Sequence, residues 1–213
     1  MKGSIYIKKI FTPVYKVLKK KIVGSGNSIS KKSLPAKLSI EIRGNNNQIK
    51  LDENSHLGNL KFFIYGNNNK IEISKNCIIK SGTFWIEDDN CEIFIDSKTT
   101  IESVDFGVSE NNSKVYIGKD CMLSSGVKFK TGDSHSILDA EGKRINFAGD
   151  IYIGNHVWIG QDVVLLKNSI IKDESIIGLR SVISNKEFEK NSLIVGMPAK
   201  VIKENINWLR ERI

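Results

Sequence analysis

The side chains able to move a proton near neutral pH are few, because the chain holds only three histidines: His56, His135 and His156. An imidazole, with an ordinary pKa of about 6.5, keeps a neutral fraction that can serve as a general base. By residue type alone, any of the three could do so. His135 lies in a polar run, 130–144, outside any core-forming pattern, with Asp133 two residues before it. Ser134 and Ser136 flank it, but adjacent residues rarely form a nucleophile–base pair and no nucleophile-elbow motif surrounds them. Direct group transfer therefore fits better than a covalent intermediate. His156 stands beside Asn155 in a turn-like stretch, and His56 directly precedes apolar Leu57; both suit surface positions. Cys77, Cys91 and Cys121 are odd in number and include no C-x-x-C pair. They read as small buried hydrophobes, not as a disulfide framework or a zinc site.

The elements that must carry these groups show themselves as a period. Counting by six from Ile153 gives Ile159, Leu165, Ile171, Ile177 and Ile183; the count misses at Glu189 and resumes at Val195 and Val201. Glycine follows four of these positions, at Gly154, Gly160, Gly178 and Gly196, and residues two before them are small or β-branched. A period of six keeps no residue on one helical face, whereas alternation within each six suits a short strand. Three strands make a triangular coil of about 18 residues, and the coils stack. In the N-terminal half the spacing is 22: Gly44-Asn-Asn-Asn47 recurs at Gly66-Asn-Asn-Asn69, and the apolar pairs Ile49/Leu51, Ile71/Ile73, Ile93/Ile95 and Val115/Ile117 keep the same step. Within units the step of six predicts Leu51/Leu57/Phe63, Ile73/Ile79/Trp85 and Ile117/Leu123/Phe129 as interior positions. Asn46, Asn68, Asn90 and Asn112 should stack as a ladder at one corner, since asparagine tolerates left-handed backbone angles and pairs with its own kind.

The expected fold class is therefore all-β, a parallel β-helix over 23–203. An inserted loop lies at about 130–150, where 14 residues exceed the repeat, and loops on rigid scaffolds are where chemistry usually sits. A basic helical segment over 1–22 and a short helix over 204–213 are expected to cap the ends. The first forty residues hold ten lysines and the first acid is Glu41, a block suited to an anionic membrane leaflet, a lipid-linked glycan or an acidic polysaccharide. No nucleic-acid-binding motif accompanies the charge. With no long apolar run and no cleavable leader pattern, the protein is expected in the cytoplasm, with room for peripheral contact at the inner membrane face.

Three motifs bring a resemblance: Gly132-Asp-Ser-His135, Ile153-Gly-Asn-His-Val-Trp-Ile-Gly160 and Gly196-Met-Pro-Ala-Lys200. In this order they resemble the hexapeptide-repeat acyltransferases, most closely the bacterial O-acetyltransferases of capsule, lipopolysaccharide and exopolysaccharide synthesis, over about residues 115–208. The resemblance implies a left-handed β-helix, a homotrimer with sites between subunits, acetyl-CoA as co-substrate in the groove between two β-helices, and a sugar hydroxyl as acceptor. It implies His135 as general base, Asp133 as its orienter or an acceptor contact, and Trp158, which the stepping turns outward, as a wall of the site. For the coenzyme it implies Gly160, Gly178, Arg180, Lys186, Pro198, Ala199 and Lys200, with Lys190 and Lys203 also in reach, and oxyanion donors among backbone N–H groups near Gly160 or Gly178. Leu179 and Met197 depart from the residues the family usually carries there. The three-histidine metal spacing of related trimeric β-helix enzymes is missing, so no metal is expected. The alternatives are N-acetylation of an amino-sugar nucleotide, and a non-catalytic β-helix scaffold that binds no coenzyme A.

Overall fold

The computed structural model describes residues 16–213, all of whose regular structure is β. The chain winds as a left-handed parallel β-helix with three faces. The first face is made by the leading ends of His56–Tyr65, Ile78–Glu87 and Thr100–Val108, then by Met122–Leu123, Trp158–Ile159, Ile176–Ile177 and Leu193–Gly196. The second holds Lys16–Val23, Lys37–Arg43, the trailing ends of the same three long strands, Val127–Lys130, Val164–Leu166 and Val182–Ile183. The third is a separate eight-stranded sheet from Ser28–Lys31 to Lys186–Phe188.

Alternation decides what fills the interior. Ile153, Ile159, Leu165, Ile171, Ile177 and Ile183 are all buried, as are the residues two before each. In the N-terminal coils Phe62, Phe84, Phe106 and Phe129 form one continuous internal stack, with ring centroids 4.8, 5.0 and 4.9 Å apart. Burying such a side chain is worth about 1.5–3 kcal/mol. In-register stacking repeats that gain on every coil.

Three expectations need correction. Phe63 and Trp85 are not interior; Phe62 and Phe84 are, and the register Phe62–Phe84–Phe106–Phe129 shows why. The corner between the first and second faces is one residue shorter in these coils than at 124–126, so each long strand bends straight through it and the six-step slips by one. The same slip occurs later. The corner at 184–185 is one residue short and Ser169 pairs with Lys186, so Phe188 is interior where the count missed at Glu189, and Ile194 takes the place expected of Val195. The terminal helices are also not found where described. Residues 16–22 are strand, residues 1–15 lie outside the described part, and 204–213 form no helix. Instead Ala199–Lys203 turns back antiparallel on Leu193–Gly196 and covers the sheet edge, an end device that solenoids need. Among the described residues no helix is long and apolar enough to cross a membrane.

The asparagine ladder forms. Asn46, Asn68, Asn90 and Asn112 all have φ of 57–68°, and Asn68 Nδ2 donates to Asn90 Oδ1 at 3.2 Å. Behind it runs an inner ladder the spacing did not single out: Asn47 and Asn69 are fully buried. Each side-chain oxygen accepts the next coil's backbone N–H, at 2.9 Å from Asn69 and 2.8 Å from Cys91.

Candidate active site

The inserted loop leaves the stack at the same corner, between the second and third faces. Val115 pairs with Ile151, so the 14 extra residues project from one coil without disturbing those on either side. Its pin is Asn146, 7% exposed, a residue not anticipated as part of the site. The Asn146 side chain accepts the Ile137 N–H at 2.7 Å and donates to the His135 carbonyl at 2.7 Å and to Asp133 Oδ2 at 2.9 Å. Lys167, from the next coil, donates to the same Asp133 oxygen and to the Asn146 carbonyl. Arg144 bonds Glu110 on the coil before. The loop is thus tied to the coils on both sides of its root.

Asp133 does not touch the His135 imidazole. Its carboxylate serves Lys167 and Asn146, and the lysine's hydrogen bond, then the amide's, hold its pKa below the ordinary carboxylate value. It acts on His135 at one remove, through Asn146, which grips the histidine's backbone while the side chain stands exposed. Ser134, with φ of 62°, supplies the turn that presents it.

Trp158 points outward, 38% exposed, between Met122 and Ile176 on the first face. In a triangular coil that face lies opposite the loop corner. Within one chain the structure therefore sets His135 and Trp158 on different sides of the prism. Trp158 has a neighbour from the C-terminal tail, Trp208, with centroids 6.0 Å apart. Trp208 is 5% exposed, donates its indole N–H to the His156 carbonyl at 2.8 Å and stacks on the His156 ring at 4.1 Å. His156 takes the left-handed turn position, φ 51°, and its Nδ1 lies 2.6 Å from Glu174 Oε2. It is a turn residue, as expected, but a clasped one. His56 is exposed on the third-to-first corner side, remote in sequence register from the loop.

The residues expected at the coenzyme lie on the last coils. Gly160 and Gly178 are there for close packing: a Cβ on Gly160 would stand 2.8 Å from the Leu179 amide nitrogen, and one on Gly178 would stand 2.6 Å from Val195. Their own N–H groups donate to Ile177 and Ile194 carbonyls at 2.8 Å, so the amides of these two glycines are taken up in the coil. Arg180 pairs loosely with Asp162 at 3.6 Å, Lys186 sits 4.8 Å above the Phe188 ring, and Pro198 and Lys200 are exposed around buried Ala199. Leu179 and Met197 are 62% and 73% exposed beside them. Among the described residues no group of three or more metal-ligating side chains gathers. The three cysteines are buried and free, and desolvation pushes Cys121 up to about 12 and Cys77 and Cys91 to about 11, which leaves them inert as nucleophiles.

No protein-family model matches the chain. Two solved structures match along nearly its whole length. One is the polysialic acid O-acetyltransferase OatWY, 32% identical, covering 93% of each chain with a TM-score of 0.82. The other is the polysialic-acid-specific acetyltransferase NeuO, 31% identical, covering 92% of this chain and 89% of that one at 0.79. Among curated proteins, polysialic acid O-acetyltransferases of Neisseria meningitidis and Escherichia coli O1:K1 are 37% and 35% identical over 95 and 94 residues. Those matches span 44% and 30% of the relatives' own length. With its stacked three-sided coils, its single projecting loop and this full-length likeness, the chain belongs to the hexapeptide-repeat acyltransferases, alongside the polysialic acid O-acetyltransferases.

Proposed function

We propose that this protein transfers an acetyl group from acetyl-CoA to a hydroxyl of an acidic bacterial surface polysaccharide, with His135 as general base. The observation that carries this is an exposed imidazole on a loop pinned at Asn146, within a chain that matches polysialic acid O-acetyltransferases from end to end. In the reaction the acceptor oxygen attacks the thioester carbonyl as its proton passes to the imidazole. The carbon–sulfur bond then breaks, and the proton goes to the departing thiolate. A general base of this kind supplies about 10²–10⁴-fold.

The acting unit is a homotrimer. His135 and Trp158 lie on different sides of one prism, so a neighbour's first face must meet the loop to complete the site. This is a heterologous contact, which closes into a ring. The coenzyme lies in that seam, its phosphates near Arg180, Lys186 and Lys200, its adenine end near Pro198 and Ala199, and its reactive end near Gly160 and Gly178. The basic N-terminal block supports an acidic or membrane-tethered acceptor. Incubating the protein with acetyl-CoA and polysialic acid, then measuring polymer mass and free thiol release together, tests the proposal. It expects one acetyl gained per thiol released. No thiol release, or release with no acetyl on the polymer, would refute the acceptor, and absence of coenzyme A binding by calorimetry would refute the donor.

A further inference from the structure

The slip of register that turns Trp85 outward also creates a notch. On the second face Trp85 is in register with Phe63 in the coil before it and with Gly107 in the coil after it. From the Phe63 side its ring is supported by two aromatics, Phe63 at 5.4 Å and Tyr65 edge-on at 5.1 Å. On the Gly107 side the missing side chain leaves room into which the end of Lys130, its register partner, folds: Lys130 Nζ and Cδ lie 2.6 and 2.8 Å from where a Gly107 Cβ would stand. The cavity, of about 290 Å³, is lined by Trp85, Glu87, Gly107, Ser109, Lys130 and Ser134. Ser134 is the residue before His135.

On the third face Phe94, Tyr116 and Tyr152 stack nearly parallel at 5.2 and 4.9 Å, so the middle ring is covered on both faces. Trp85 ends its column, and one side of the indole borders a pocket with two hydroxyls, the Glu87 carboxylate and the Lys130 cation, whose Nζ lies 3.7 Å from Asp105. An apolar ring face bordered by hydrogen-bonding groups is what the C–H side and the hydroxyl rim of a pyranose need.

We infer that the Trp85–Gly107–Lys130 notch is an acceptor subsite that holds a pyranose ring of the glycan one or more residues away from the hydroxyl presented to His135. The inference rests on the acceptor proposed above. It makes the second face a track along which a long acceptor lies, its bound ring stacked on Trp85 and its substituents bonded by Lys130, Ser109 and Ser134.

The test measures kcat and KM with sialic acid dimers and with long polysialic acid, for the wild type, Trp85→Ala, Trp85→Phe and Gly107→Val. A Cβ at Gly107 would stand 2.6 Å from Lys130 Nζ and 2.8 Å from its Cδ, so Gly107→Val takes up the notch by pushing aside the flexible end of Lys130. Trp85→Ala and Gly107→Val are expected to raise KM for the polymer roughly tenfold with kcat retained. The preference for polymer over dimer then collapses, and Trp85→Phe keeps most of it. An active wild type whose polymer preference survives both substitutions overturns the subsite alone. A wild type inert on both acceptors overturns the acceptor reading and the subsite with it.

Discussion

At the scale of single residues, the chemistry we propose is concentrated in a loop that differs from its surroundings in having no repeat partner. His135 has no equivalent in the coils above and below, so its side chain is not drawn into a ladder and stays exposed. His135→Ala is expected to lower kcat/KM about 10²–10⁴-fold with the thermal midpoint unchanged; a folded, fully active variant would remove it from the mechanism. Asp133 brings a pH dependence. Its folded pKa is depressed by Lys167 and Asn146, so its contribution to holding the loop is complete above the ordinary carboxylate pKa of about 3.9 and is lost as pH falls through the lower folded value. The Asn146 side-chain amide, which donates to Asp133, should keep that contact down to about pH 5 and lose it only in more acidic solution, read from its NH2 resonances. In Asp133→Asn they should already be displaced at neutral pH.

At the scale of elements, the coils are held by side chains that repeat in register. Asn69 is fully buried, accepts from Cys91 N and donates to the Asp88 carbonyl at 2.9 Å. Asn69→Ala strands both partners in the interior, at a cost of about 1–3 kcal/mol, read as an earlier urea transition. Asn68→Ala, on the exposed outer ladder, loses less hydrogen bonding but must still adopt φ of 57°, a strain of roughly 1–2 kcal/mol for a residue with a Cβ. Much of this scale was legible beforehand. The steps of six and 22 placed Ile153 to Ile183 inside, set Asn46 to Asn112 in a stack and located the inserted loop. The places where the count failed at Phe63, Trp85 and Val195 follow corners one residue short, whereas Val201 lies on the returning antiparallel strand Ala199–Lys203. Such a deletion leaves an apolar-rich strand looking equally good in two frames, because Phe62 and Phe63, or Ile194 and Val195, are both apolar. Only the pairing of a strand with its neighbours selects the frame.

At the scale of the whole molecule, the prism separates the groups that the proposed chemistry needs. If His135 of one copy meets Trp158 of the next, co-expressing His135→Ala with Trp158→Ala should restore activity that neither variant has alone. In randomly mixed trimers about one site in four pairs an intact His135 with an intact Trp158, so about a quarter of wild-type activity is expected. Activity that stays at the level of the single variants would place both residues in one subunit's site. The tail acts on this scale too. Arg210 bonds the Asp120 and Cys121 carbonyls at 3.1 Å, and Trp208 packs beside Trp158. A segment expected to be a capping helix is instead a strap laid across successive coils.

By itself the sequence determined the coil, its aliphatic interior, the outer asparagine ladder, the insertion and the histidine that lies in it, because each is written as a period or as a break in one, and strand alternation converts a period directly into inside and outside. The tertiary structure alone decided which of two adjacent apolar residues turns inward, that Asn146 and Lys167 hold the loop, that the amides of Gly160 and Gly178 are already taken, and that Trp85 opens onto a notch. Those outcomes depend on which coil lies against which. Contacts between residues 17 to 36 positions apart are set by the length of every intervening corner, a quantity that no local pattern carries.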